Sequence, residues 1–330
     1  MKVVIVGAGA SGLLHALAFR ACQVPIAAVY DPDHERARTL VDLCGGRVLS
    51  SFDDAVRCDA SLAAVCSPPS LHVVQAEALA RANGRTVFVE KPVATSEADL
   101  DRLRALRRCV PVLQWRAGRG LRALRRAIAH GELGTAPAVS ADLAWGRDEQ
   151  YFASRGEAWG TGALLSIGIH AVDAITWALG RKIEGVCGML SDRRAAGGET
   201  SAVALLRFTG GAMASLRISL DGGADVTRIV ACGRGVSVAC EGGEADPTAN
   251  PLRWFAQDAA VRERLEALER DTAGARGSPL LVPYLAGAVD ALRQGLGPGD
   301  CERLPSIADV VDAHAAVLGI YAFTRVSCAA

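Results

Sequence analysis

The sequence predicts an α/β domain built on a parallel sheet, followed by an α+β domain whose sheet is mostly antiparallel. Three observations predict it. The apolar run 3–6 leads straight into a turn with glycines at Gly7, Gly9 and Gly12. Apolar runs then alternate with helical patterns to about residue 114, as parallel strands joined by crossover helices do. Beyond residue 136 strand-like runs follow one another across short glycine turns at residues 209–211 and 233–235, as antiparallel hairpins require.

The first strand is Val3, Val4, Ile5 and Val6, β-branched throughout and suited to a sheet buried on both faces. Gly7, Ala8, Gly9, Ala10, Ser11 and Gly12 form the turn after it. Gly7 allows the sharp bend, Gly9 lets the backbone approach a pyrophosphate, and Gly12 lets the next helix pack on the strand. That helix, over 13–21, directs its first N–H groups at the phosphates. A second apolar run, 26–30, ends in Asp31, nineteen residues past Gly12; a dinucleotide fold places its ribose-binding carboxylate about 20 residues on. A carboxylate there repels a 2′-phosphate and favours NAD(H). Arg36 and Arg38 follow closely and leave NADP(H) open.

Further along, 32–43 has helical spacing, 48–49 suits a short strand and 52–56 a short helix. A buried strand over 62–66 stops at Ser67-Pro68-Pro69, where missing N–H groups end any ladder. A helix over 71–82 precedes the strand 86–90, which ends in Glu90-Lys91-Pro92. Ligands in parallel sheets bind beyond the carboxyl ends of the strands, so Lys91 stands at a candidate site. An X-Pro bond there can be cis at modest cost. The chain has three lysines, Lys2, Lys91 and Lys182, and uses arginine for every other basic side chain. Lysine can give up a proton when its pKa is lowered, and arginine cannot. A helix over 96–108 and a strand over 110–114 complete the first domain, with the boundary at Gly118: residues 1–118 form one domain and 119–330 the other.

In the second domain strands are predicted over 138–145, 183–190, 201–208, 212–220, 228–232 and 236–240. A polar loop occupies 241–251, and helices cover 258–270, 282–293 and 307–321. Between the first two strands, Trp159-Gly160-Thr161-Gly162 opens a helix over 163–179. Ser166, His170 and Asp173 share one face of that helix, at i, i+4 and i+7. No Lys, Arg or Glu lies between Ala158 and Gly180. So narrow a polar face suits a cavity wall, or a core histidine bonded to backbone.

Composition limits what the chain can do. Its 330 residues suit two domains, and 36 basic residues balance 36 acidic ones, which argues against nucleic acid or a membrane surface as partner. The arginines of 102–126 therefore read as solvated helix faces, and the partner expected is a small-molecule substrate. Ten cysteines show no C-x-x-C pair and no Cys/His cluster, as free thiols in a reducing compartment would. No metal is expected. The start shows no signal-peptide pattern, and no apolar run reaches the ~18 residues of a membrane span; the expected location is cytoplasmic.

Taken in order, the glycine turn at Gly7, Tyr30-Asp31, Ser67-Pro68 with His72, Glu90-Lys91-Pro92, Gly131-Glu132-Leu133-Gly134 and the stretch from Gly160 to Gly180 resemble the Gfo/Idh/MocA family of sugar and cyclitol oxidoreductases. The resemblance implies a Rossmann domain, a second domain with a large open sheet, and homo-dimers or homo-tetramers built on that sheet. It implies chemistry by Lys91 with His170, and cofactor contacts from Ser67, Pro68, His72, Glu90 and Lys91. Tyr151, Arg155 and Trp159, which precede the glycine turn, are expected at the substrate with Ser166 and Asp173, packing being the other reading of Trp159.

One departure stands out. Family members that oxidise sugars or inositols carry an aspartate where this chain has Ser166, and serine can hydrogen-bond an imidazole without stabilising its cation. The expected function is reversible hydride transfer at a hydroxyl- or carbonyl-bearing carbon of a sugar, cyclitol or related polar metabolite. The alternatives are a reductase of a keto-sugar or imine intermediate and a non-catalytic NAD-binding regulator.

Overall fold

The structure, a computed structural model, describes residues 1–82, 84–153, 161–191, 198–242, 247–276 and 279–327. The chain divides into two compact units, Met1–Leu113 with Leu281–Val311, and Gln114–Leu280 with Asp312–Ala330.

In the first unit β1 (Val3–Val6), α1 (Ala10–Ala21), β2 (Ile26–Tyr30), α2 (His34–Cys44), α3 (Phe52–Arg57), β3 (Leu62–Val65), α4 (His72–Arg81), β4 (Thr86–Val89), α5 (Glu97–Arg104) and β5 (Cys109–Pro111) alternate. The five strands are parallel, in the order β2-β1-β3-β4-β5. Val6 lies beside Tyr30 and Val65, and Val65 beside Val89. Four strands thus end level, which brings Gly7, Asp31, Cys66 and Glu90 to one edge of the sheet. Helix starts are capped as the sequence allows: Asp33 accepts from the Glu35 and Arg36 N–H groups, and Ser51 and Ser96 accept from Asp54 and Asp99. Residues 48–49 make a single bridge, Val29 with Val48, in place of a strand.

The second unit holds α6 (Arg119–Ala129), β6 (Ala138–Gly146), α7 (Glu149–Ala153), α8 (Ile169–Leu179), β7 (Ile183–Leu190), β8 (Ser201–Phe208), β9 (Met213–Ser219), β10 (Asp221–Gly233), β11 (Val236–Gly242), β12 (Arg253–Ala256) and α9 (Ala259–Arg270). The sheet order is β12-β11-β10-β6-β9-β8-β7. Every neighbouring pair is antiparallel except β6 and β9, which are parallel. Both predicted hairpins form, β8 with β9 and β10 with β11. Along β8, Ala202, Ala204, Leu206 and Phe208 are buried while Val203 and Leu205 face outward; the inner face packs with α6 and α8 into one core. Two strands exceed the prediction. β10 runs from Asp221 where only 228–232 was expected, and β12 lies just past the stretch read as a polar loop. Both are recruited by backbone pairing to β6 and β11, which an apolar pattern does not record.

The compact units do not follow a single cut at Gly118. The first unit ends at Leu113 and takes back Leu281–Val311, which includes α10 (Leu281–Arg293). This helix packs against α1, the Tyr284 hydroxyl donates to the Pro111 carbonyl, and Arg293 donates to the Cys22 carbonyl at 2.9 Å. Nothing in the local sequence of 281–311 says which sheet it will cover. The last helix, α11 (Val311–Ser327), contributes Val317 and Ile320 to the core of the second unit. Among the described residues no helix is long and apolar enough to cross a membrane.

Candidate active site

Gly7 has a φ of +97°, and a Cβ there would stand 2.6 Å from the Cys66 carbonyl group. At Gly12 a Cβ would come within 2.0 Å of the Gly7 carbonyl oxygen, so α1 packs on the turn only with glycine. Gly9 differs, with nothing within 4 Å of its would-be Cβ. It caps α1, which begins at Ala10 with no side-chain cap and no acidic residue in the first turn. An open approach to the positive end of a twelve-residue helix fits a pyrophosphate. Asp31, 8 % exposed at the end of β2, accepts from the Ala8 N–H at 2.7 Å and the Asp33 N–H at 2.9 Å. It binds the turn to the second strand and leaves further lone pairs for ribose hydroxyls. These residues fit a dinucleotide.

The next set of expected cofactor contacts behaves differently. The Ser67 hydroxyl donates to Gln75 Oε1 at 2.6 Å, and both side chains are buried. His72 is 1 % exposed, with Nδ1 2.8 Å from the Pro92 carbonyl and Nε2 2.8 Å from the Ser67 carbonyl. Burial pushes its imidazole below the usual value, against the opposing pull of the two carbonyls and Glu90. Glu90 accepts from His15 Nε2 at 2.8 Å and from the Lys91 N–H at 3.1 Å. Burial works against its charge, yet the His15 bond and the charges of His15, Lys91 and His72 outweigh it and hold the carboxyl below its usual range. The side chains of Ser67, His72 and Glu90 are therefore all engaged with groups of the protein itself. They brace the loop carrying Lys91, which is half-buried and precedes a cis bond to Pro92. Pro68 is half-buried at the start of the 3-10 turn Pro69–Leu71. Burial and the Glu90 charge push the Cys66 thiol well above its ordinary value, which favours the protonated thiol.

In the second unit a π turn, Leu164–Gly168, leads into α8. Ser166 lies in that turn, 6 % exposed, with its hydroxyl 3.5 Å from the Ala163 carbonyl oxygen. His170 is 3 % exposed and stacks on Trp115, ring centroids 5.1 Å apart. Asp173, expected on the substrate, is 1 % exposed and accepts from Arg116 through both oxygens, one of them from Nε at 2.9 Å. Its carboxylate completes a buried ion pair. Tyr151 is half-buried on α7, edge-on to Phe152 and 5.3 Å from the Arg147 guanidinium. Arg155 and Trp159 lie outside the described residues.

Several residues that shape the site escaped the sequence reading. The arginines of 102–126 are not all solvated: Arg102 and Arg104 are exposed, but Arg116 and Arg119 are buried. Arg119 donates to the Thr272, Glu269 and Arg270 carbonyls at the end of α9. Glu199, 1 % exposed, accepts from the Leu164 N–H at 2.9 Å and the Tyr321 hydroxyl at 2.7 Å, and its carbonyl takes the Ala163 N–H at 2.8 Å. A buried carboxylate at the start of the His170 helix suits the helix dipole. Gly162 is glycine because a Cβ there would meet the Glu199 carboxylate at 1.9 Å. The one signal available for Trp115 and Arg116 was an aromatic beside an arginine at a strand end; His15 and Glu199 gave none.

Fold and site together define a dinucleotide-binding protein with a second, sheet-based domain. The model described as an oxidoreductase family with an NAD-binding Rossmann fold matches residues 1–111, and that of the GFO/IDH/MocA C-terminal domain matches residues 121–243. The chain belongs to the Gfo/Idh/MocA family of oxidoreductases, and its cofactor is NAD(H). No curated protein matches it. Among solved structures it is similar to the WlbA dehydrogenase from Bordetella pertussis in complex with NADH and UDP-GlcNAcA, at 24 % identity and a TM-score of 0.81, over 99 % of this chain and 97 % of that one. GenD2 from gentamicin A biosynthesis, in complex with NAD, is 23 % identical with a TM-score of 0.76, over 98 % and 94 % of the two chains. A putative myo-inositol dehydrogenase from Sinorhizobium meliloti 1021 is 20 % identical with a TM-score of 0.74, over 99 % and 98 %. At these identities the likeness establishes the fold.

Proposed function

We propose that the protein transfers a hydride between NAD(H) and a hydroxyl- or carbonyl-bearing carbon of a sugar, cyclitol or related polar metabolite. The observation that carries this reading is the bracing of Lys91, whose loop is held by Glu90, His15 and His72 at the strand edge that also presents Gly9 and Asp31. The nicotinamide, when bound, accepts or supplies the hydride. Lys91 donates a hydrogen bond to the reacting oxygen and stabilises the negative charge that grows there. His170 takes or returns the hydroxyl proton as general base or acid, with Trp115 keeping its ring in one plane. Similarity to a dehydrogenase solved with UDP-GlcNAcA and to a putative myo-inositol dehydrogenase supports a polyhydroxylated substrate.

The test is reduced-nicotinamide absorbance on wild type, Lys91→Ala and His170→Ala, with NAD and NADP against cyclitols, aldoses, amino sugars and nucleotide sugars, and the reduced cofactors against keto-sugars. Turnover with NAD that falls at least about a hundredfold in Lys91→Ala is the expected result. A Lys91→Ala enzyme with full turnover overturns the assignment.

The outer face of the large sheet supports self-association. Met189, Val203, Leu205 and Met213 are 54–77 % exposed on three neighbouring strands, β7, β8 and β9, and clustered apolar exposure marks an interaction surface. A homo-dimer or homo-tetramer is expected by light scattering, and a monomer for Val203→Lys with Leu205→Lys.

A further inference from the structure

His15 is fully buried on α1, five residues past its first residue, about 7.5 Å along the axis. Its Nε2 meets Glu90 Oε1 at 2.8 Å, and Nδ1, also buried, has no hydrogen-bond partner among the described residues. An ionised carboxylate only accepts, so Nε2 donates the bond to Glu90. The other Glu90 oxygen accepts the Lys91 N–H at 3.1 Å. One carboxylate thus joins the phosphate-facing helix to the main chain of Lys91. The titratable groups around it are His15 on α1, His72 on α4, Cys66 at the end of β3, and Lys91 itself.

We propose that the His15–Glu90 pair is a positioning device behind Lys91: Glu90 fixes the Lys91 backbone and sets a carboxylate within electrostatic reach of its charge, while His15 holds that carboxylate in place from α1. The proposal rests on the reading of Lys91 as the group that contacts the reacting oxygen. It makes Glu90 a support of the site and gives α1 two tasks, its first turn facing the phosphates and His15 holding the residue that carries the charge opposite Lys91.

The chain has three lysines, so full-length protein labelled with 13C at lysine Cε shows three resolvable signals, and Lys91→Arg assigns one of them. We expect Glu90→Gln to lower the Lys91 midpoint by about one pH unit, a tenfold loss of proton affinity, with Lys2 and Lys182 unmoved. His15→Leu removes a donor from a half-buried carboxylate. The inflection that Glu90 imposes on the Lys91 signal as it takes up its proton then moves to higher pH, and His15→Gln, which keeps a donor N–H, restores it. A Lys91 midpoint unchanged in Glu90→Gln, or an inflection common to wild type, His15→Leu and His15→Gln, overturns the proposal. Circular dichroism checks the fold of each variant, and if Glu90→Gln does not fold the two His15 variants decide. None of these readings needs turnover, so a Lys91→Ala enzyme with full activity would sink the functional reading while leaving the pair's effect on Lys91 separately measured.

Discussion

Trp115 lies against the His170 imidazole with 5.1 Å between ring centroids and 20° between ring planes. The next residue, Arg116, pairs with Asp173, less than one turn further along the same helix. Two consecutive residues of one short turn, Gln114–Ala117, therefore hold the helix at His170 and at Asp173. Trp115→Ala removes a side chain that is 2 % exposed and is expected to cost about 3–5 kcal/mol. Trp115→Phe keeps an aromatic face on the imidazole and should lose far less, with urea denaturation separating the two.

The Arg116–Asp173 pair makes a sharper prediction. Asp173→Asn leaves a buried guanidinium without its counter-charge, at a cost of about 3–5 kcal/mol. Replacing both partners, as Arg116→Met with Asp173→Leu, should recover most of that, because no uncompensated charge remains. Denaturant midpoints measure the cycle. A side chain that acted on substrate would instead raise KM in Asp173→Asn and leave the midpoint alone.

Two glycines of one turn should respond in opposite ways. Gly12→Ala forces a Cβ to 2.0 Å from a backbone oxygen and is expected to lower Tm markedly or abolish folding. Gly9→Ala meets nothing within 4 Å, so Tm should hold while the methyl occupies the approach to α1 and weakens NADH binding at least about tenfold, roughly 1.4 kcal/mol. Thermal melts and NADH fluorescence titrations read the two effects apart.

His72 sets a pH dependence. Its folded-state pKa lies below the unfolded value, chiefly through burial, so the unfolded chain takes up a proton first as pH falls. Stability is then lost as pH drops from about 6.5 toward the lower folded value, and is fully present above that window. The difference in Tm between wild type and His72→Gln should narrow across this range and stay constant above pH 7.5 or so. A difference that widens on acidification would reverse the sign assigned here.

Much of the first unit was legible because its signals are local. A β-branched run, three spaced glycines and a carboxylate nineteen residues past Gly12 each constrain the backbone where they stand, and the parallel sheet followed. The antiparallel hairpins of the second unit were legible for the same reason, through their glycine turns. The extension of β10 and the existence of β12 were not, since both depend on partner strands that supply the hydrogen bonds. Lys91 stood out by composition and place, and His170 by the bareness of its helix.

By itself the sequence determined the two sheets, the family and the glycine turn, and it marked out the residues proposed to bear chemistry, because periodicity, glycine geometry and motif order are properties of neighbouring residues. Only the tertiary structure decided how those residues are held. His15 reaches Glu90 across 75 positions, Arg116 reaches Asp173 across 57, and Tyr321 reaches Glu199 across 122. It also returned Leu281–Val311 to the first unit. A buried polar group takes whichever partner the packed chain brings within hydrogen-bond distance, and separation along the sequence carries no record of that choice.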